Sequence, residues 1–190
     1  MTGVPFSFGG IPLSEYLATA ARAYREICRC SYTFSFSNGE TIKLVFKPQN
    51  FVHLAGLRKL NDVYEFQTVR NAINIYHDIL RGNITDLHLQ MSVHYDSDAR
   101  ERIENLARLE ELLKTDKAIW NFDPKKSKVV TRLKSKVIFF KPDGFDFYLM
   151  LGAAPNGVTW YPETFFFRFD DQYLTDQEIV SIQSMIRKTV

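Results

Sequence analysis

Asn38-Gly39 stands between two runs of alternating polarity, and this pattern constrains the fold more than any other stretch of the chain. Upstream, Tyr32, Phe34 and Phe36 alternate with Ser31, Thr33, Ser35 and Ser37. Downstream, Ile42, Leu44 and Phe46 alternate with Thr41, Lys43 and Lys47. A period of two puts each apolar set on one face of a strand. Asn-Gly tolerates the positive φ angles that a tight hairpin turn demands. An antiparallel hairpin is expected here, which excludes an all-helical fold.

The flanking segments follow other periods. Ser14 suits an N-cap, and Leu17, Ala21, Tyr24 and Cys28 recur at helical spacing, predicting a helix over about 14–29. Pro48 suits the first turn of a helical segment over 48–60. Phe66, Val69, Ile73, Tyr76 and Leu80 form an apolar stripe that predicts a helix over 64–81, ended by Gly82-Asn83. The stretch 84–95 fits neither period. Asp98 can open a helix over 98–115, with Arg100–Glu104 and Glu104–Arg108 pairs on a solvated face.

From about residue 118 the chain reads as β. Residues 129–141 are β-branched and basic, and 145–153 are apolar on both faces, as in a central strand. The segment 158–169 follows the Pro155-Asn156-Gly157 turn. Thr175 and Glu178 fit a capping box and predict a last helix over 176–188. The expected fold class is α+β: a helix-rich N-terminal part packed on a mostly antiparallel β-sheet, with a closing C-terminal helix.

Length and composition bound the rest. A chain of 190 residues, 45% hydrophobic and 24% charged, suits a single domain over 1–190 with an irregular segment at 1–12. No apolar run reaches the roughly 18 residues of a membrane span, so no membrane association is expected. The first residues lack a basic stretch followed by an apolar one, so no signal peptide is expected. Cys28 and Cys30, one residue apart, are the only cysteines and suggest a reduced, cytoplasmic protein. Residues 1–60 carry seven Lys/Arg against three Asp/Glu, and residues 119–141 carry seven against one. Local basic surface of this kind suits a polyanion binder, or equally a lysine-rich solvated edge.

Several of these features coincide in one family. The hairpin leads directly into Asn50-Phe51-Val52-His53-Leu54-Ala55-Gly56-Leu57. A helical middle and the basic Lys134-Ser135-Lys136 follow. Near the end stand Pro162-Glu163-Thr164-Phe165-Phe166 and Asp171-Gln172-Tyr173. Over roughly residues 30–175 the chain resembles the phage-associated branch of the Barnase–EndoU–colicin E5/D–RelE-like nucleases, in its fourth group. The resemblance implies helices packed against a four-stranded antiparallel sheet, and cleavage of RNA without a metal. It also implies a toxin or a phage or defence effector, with RNA as partner and a cognate antitoxin or immunity protein as a second one. No cofactor is expected.

A ribonuclease of that kind deprotonates a ribose 2′-OH, stabilises charge on the phosphate and protonates the leaving 5′-oxygen. Histidine suits either proton transfer because its ordinary pKa is about 6.5. His53 is the first candidate, with Gly56 one helical turn along removing bulk beside it; the alternative is a histidine engaged within the core. Lys136 and Arg168 are candidates to stabilise the phosphate, and Thr164 to orient it. Arg132, Lys134 and Lys136 alternate on one strand face and can track a nucleic-acid backbone, or simply protect a sheet edge. Phe166 lies between Thr164 and Arg168 on their face, as a base-stacking ring or as core. The cleavage product would be a 2′,3′-cyclic phosphate. No metal site is expected, since there is no His-Glu-x-x-His and no phosphate-binding glycine loop. The rival reading is a non-catalytic module that binds nucleic acid or a protein through the basic sheet face.

Overall fold

The computed structural model describes residues 15–128, 135–142, 146–168 and 173–190. Helix α1 (Tyr16–Cys28) leads into the hairpin of β1 (Cys30–Phe36) and β2 (Thr41–Val45). Tyr32 lies opposite Leu44 and Phe34 opposite Ile42, and all four are buried. Gly39 takes the positive φ that the turn requires. Helix α2 (Pro48–Leu54) starts on its proline, and the Asn50 side chain accepts the Lys47 N–H at 2.9 Å. It ends where Gly56 turns left-handed at φ 73°.

Two of the expected helices are shorter than their apolar stripes. Helix α3 spans only Ala72–Leu80, because the Asn71 side chain caps it by accepting the Ile73 N–H at 2.8 Å. Val69, expected in the buried stripe, is therefore 78% exposed, and Ile75, Tyr76 and Ile79 face the core instead. The ambiguous stretch holds α4 (Asp86–Gln90), whose start is fixed when His88 Nδ1 accepts the Thr85 N–H at 3.1 Å. The span 98–115 divides into a π turn at Tyr95–Ala99, α5 (Arg100–Leu106) and α6 (Leu109–Leu112).

The strands β3 (Lys117–Trp120), β4 (Val137–Pro142), β5 (Asp146–Ala153), β6 (Thr159–Arg168) and β7 (Glu178–Thr189) complete the sheet. Among the described residues, seven strands close a barrel in the order β1-β2-β6-β5-β4-β3-β7. The pairings are antiparallel except that of β2 with β6, where Lys43 lies opposite Thr159. This corrects the expected fold class: the sheet is a closed mixed barrel rather than an open, mostly antiparallel sheet of four strands. The expected closing helix over 176–188 is also wrong, since the chain ends in β7.

The physical reason for the second error is a bulge. Strand β7 lies between β1 and β3, with Phe36 opposite Ile182 and Ser35 opposite Ser184, so Gln183 is an extra residue. Val180, Ile182 and Met185 face the core, and the step from 182 to 185 imitates a helical turn. Two neighbouring strands that need a partner outweigh a local capping signal.

Successive residues of β3–β6 face two separate cores. The larger packs Phe34, Phe139, Leu149 and Phe165 with the inner faces of the helices. The smaller, on the opposite face, gathers Ile119, Ile138, Phe140, Tyr148, Met150, Phe166 and Tyr173. Helices α2 and α5 both pack against β6. No helix of the described residues is long and apolar enough to cross a membrane.

Candidate active site

Strand β6 carries a second bulge, and polar groups converge on it. Thr164 lies opposite Met150 and Pro162 opposite Leu151, so Glu163 is the extra residue. Pro162 has no N–H to give to the ladder, which favours an interruption here. The Glu163 side chain turns over β5. Its Oε1 lies 2.6 Å from where a Cβ on Gly152 would stand, and the Tyr161 ring lies 2.9 Å from the same point. Only glycine leaves that space. The buried Ser135 hydroxyl donates a hydrogen bond to Glu163 Oε2.

Two helices bring basic groups to this point. From α5, Arg102 Nη1 donates to Thr164 Oγ1 at 3.3 Å. From the last turn of α2, His53 lies within electrostatic range of Arg102, Glu163 and Lys59. His53 is an exposed residue, yet the protein atoms around its ring still desolvate it. That desolvation lowers its pKa from the ordinary 6.5. The Arg102 cation acts in the same direction, the Glu163 carboxylate opposes it, and Lys59 adds a further lowering. An imidazole, a carboxylate, a guanidinium and a hydroxyl thus come together from three elements. This set can move protons and hold an anion.

The other candidates are distributed as follows. Thr164 lies in the cluster. Lys136 is exposed beside Ser135, its N–H donating to Leu151 and its carbonyl accepting from Phe122. Arg168 ends β6 opposite Asp146, and its side chain lies outside the described residues. Arg132 and Lys134 also lie outside them. Phe166 is 8% exposed and packs on Tyr148 at 5.4 Å and Tyr173 at 5.3 Å, so both neighbours occupy it as core. Among the described residues, no three His, Cys, Asp or Glu side chains gather as metal ligands would.

Sequence reading missed Arg102, Glu163, Ser135 and Gly152. A signal existed for Glu163: proline inside a strand pattern marks an edge or a bulge, and bulges redirect side chains near active sites. Nothing in the spacing of α5 distinguished Arg102 from its neighbours Arg100 and Arg108.

The fold is a closed mixed barrel, and at a strand bulge it brings together a histidine, a carboxylate and an arginine, groups that can exchange protons and attract an anion. The family comparison says to which class the chain belongs. Residues 17–190 match the model of the family described as phage-Barnase-EndoU-ColicinE5/D-RelE like nuclease 4, and the chain belongs to that family. The family is one of nucleases, which points to a nucleic-acid substrate. No curated protein and no solved structure gives a significant match.

Proposed function

We propose that this chain is a metal-independent endoribonuclease in which His53 and Glu163 carry the two proton transfers. The observation that supports this most is the meeting of His53, Glu163 and Arg102 at the β6 bulge. With Glu163 as the carboxylate and His53 as the imidazolium, Glu163 accepts the proton of the 2′-OH as the 2′-oxygen attacks phosphorus. The bond from phosphorus to the 5′-oxygen breaks, and His53 gives its proton to the leaving oxygen. The products are a 2′,3′-cyclic phosphate and a 5′-hydroxyl.

Arg102 faces the charge that develops on the non-bridging oxygens, and the Thr164 hydroxyl holds the guanidinium in place. Lys136 and Arg168 add positive charge, and Arg132 and Lys134 extend the backbone track. In this reading Phe166 serves as core. The protein acts in the cytoplasm as a toxin or a phage or defence effector, restrained by a cognate antitoxin or immunity protein.

The test is incubation of the purified chain with RNA in EDTA, followed by analysis of the cleaved ends. Cyclic phosphate ends from the unmodified chain, reduced about 10²–10⁴-fold in His53→Gln, are the expected result. RNA binding without cleavage would overturn the proposal and leave the interaction module.

A further inference from the structure

The placement of Glu163 depends on groups that take no part in the chemistry. Gly152 is buried on β5, and a Cβ there would stand 2.6 Å from Glu163 Oε1 and 2.8 Å from its carboxyl carbon. Side chains do not approach that closely, so the carboxylate occupies space that exists only because residue 152 is glycine. Gly152 does not have a positive φ, so its backbone does not require glycine. The requirement comes from the carboxylate and from the Tyr161 ring beside it. On the other side the Ser135 hydroxyl donates to Oε2. Ser135 is 1% exposed, immediately ahead of β4. Its neighbour Lys136 donates its N–H to the Leu151 carbonyl at 3.2 Å, which holds this turn against the residue before Gly152.

We infer that Gly152 and Ser135 are positioning residues: one opens the notch and the other supplies the hydrogen bond that together fix the Glu163 carboxylate beside His53. The inference rests on the pairing of His53 with Glu163 proposed above. It assigns a function to the bulge as well. An ordinary strand position would send residue 163 to the face opposite Thr164, whereas the extra residue lets both approach the same site. Among the described residues, the groups whose charges act on His53 are Arg102 from α5, Lys59 after α2 and Glu163 from β6. Of these only Glu163 favours the imidazolium, so moving it away leaves two opposing cations unbalanced.

The imidazole of His53 can therefore report where the carboxylate sits. Its titration is followed by proton NMR, with the resonance assigned by its loss in His53→Gln. Glu163→Gln should lower the His53 midpoint. Gly152→Ala should lower it in the same direction, because the added methyl displaces the end of a flexible side chain rather than backbone. Ser135→Ala should do likewise, and Ser135→Thr, which retains the hydroxyl, should restore the midpoint. The alkaline limb of RNA cleavage should move to lower pH in Gly152→Ala and Ser135→Ala. Ser135→Ala and Ser135→Thr carry the test if Gly152→Ala fails to fold. Unmodified midpoints in Gly152→Ala and Ser135→Ala, with a lowered one in Glu163→Gln, would overturn the positioning role while leaving the pair. No change in Glu163→Gln would overturn both. An unmodified chain that does not cleave RNA sinks the ribonuclease reading but leaves the titrations to decide the positioning.

Discussion

Arg102 Nη1 lies 3.3 Å from Thr164 Oγ1 and ties α5 to β6 beside the Glu163 bulge. A hydroxyl that accepts from a guanidinium costs the cation none of its charge, so this contact orients Arg102 without neutralising it.

Arg102→Ala should lower RNA cleavage by about 10²–10³-fold, the usual effect of losing one donor that faces transition-state charge. Arg102→Lys should recover only part of that rate, since lysine keeps the charge but loses the planar fork. Initial rates at saturating and limiting RNA separate the two effects. An unchanged rate in Arg102→Ala would leave the residue a helix–strand tie.

His53 should make the protein sensitive to acid. Its folded pKa lies below the unfolded value of 6.5. Between those two values the unfolded chain binds more protons than the folded one, so stability rises with pH there. Stability is lost as pH falls from about 6.5 through the folded pKa. Thermal melts of the unmodified chain and of His53→Gln across pH 7 to 5 check this. The difference between their melting temperatures should change over that range, with the unmodified chain losing more.

Sequence and structure agree best where local signals act alone. The Asn38-Gly39 hairpin, the central strand β5 and the strand after Gly157 depend on alternation, a continuous apolar run or turn chemistry, which neighbouring residues fix. Barrel closure was not legible, because it requires β2 to meet β6 and β7 to meet β1, contacts more than a hundred residues apart, with β3 on the other side of β7. The site divides in the same way. His53 and Thr164 stood out by type and by the segments that carry them. Arg102, Glu163, Ser135 and Gly152 meet only once α5, β6, β5 and the turn before β4 are packed together. The Glu163 and Gln183 bulges each add one residue to a strand, which is the feature a period of two conceals.

Asp86 should matter more for stability than its place in a five-residue helix suggests. It is 2% exposed, and its carboxylate accepts the Leu17 N–H at 3.2 Å, capping α1 from 69 residues away. Asp86→Ala should cost about 1–2 kcal/mol in urea unfolding, the usual range for a lost N-cap. Burial raises the Asp86 pKa above 3.8, so the folded chain binds more protons than the unfolded one just above that value. That contribution to stability should fall as pH rises through the window between the unfolded and folded pKa. Asp86→Asn keeps an acceptor oxygen and should abolish this slope.

The last strand offers a test of face. Val180, Ile182 and Met185 point to the core on either side of the Gln183 bulge, while Ser181, Ser184 and Ile186 are exposed. An aspartate scan along β7 should follow that order. Val180→Asp buries a charge opposite Ala118, where the chain offers apolar neighbours, and should cost about 3 kcal/mol or more. Ile182→Asp and Met185→Asp, at half-buried positions, should cost less but remain clearly destabilising. Ser181→Asp and Ser184→Asp should stay within about 0.5 kcal/mol of the unmodified chain. Ile186→Asp decides the issue. On a helix, residues 182, 185 and 186 would share one buried face and all three changes would be costly. On the bulged strand Ile186 lies opposite Thr33 with its side chain 52% exposed, and aspartate there should be tolerated. Urea unfolding midpoints across the six variants read the pattern, and a costly Ile186→Asp would contradict the strand and with it the closure of the barrel.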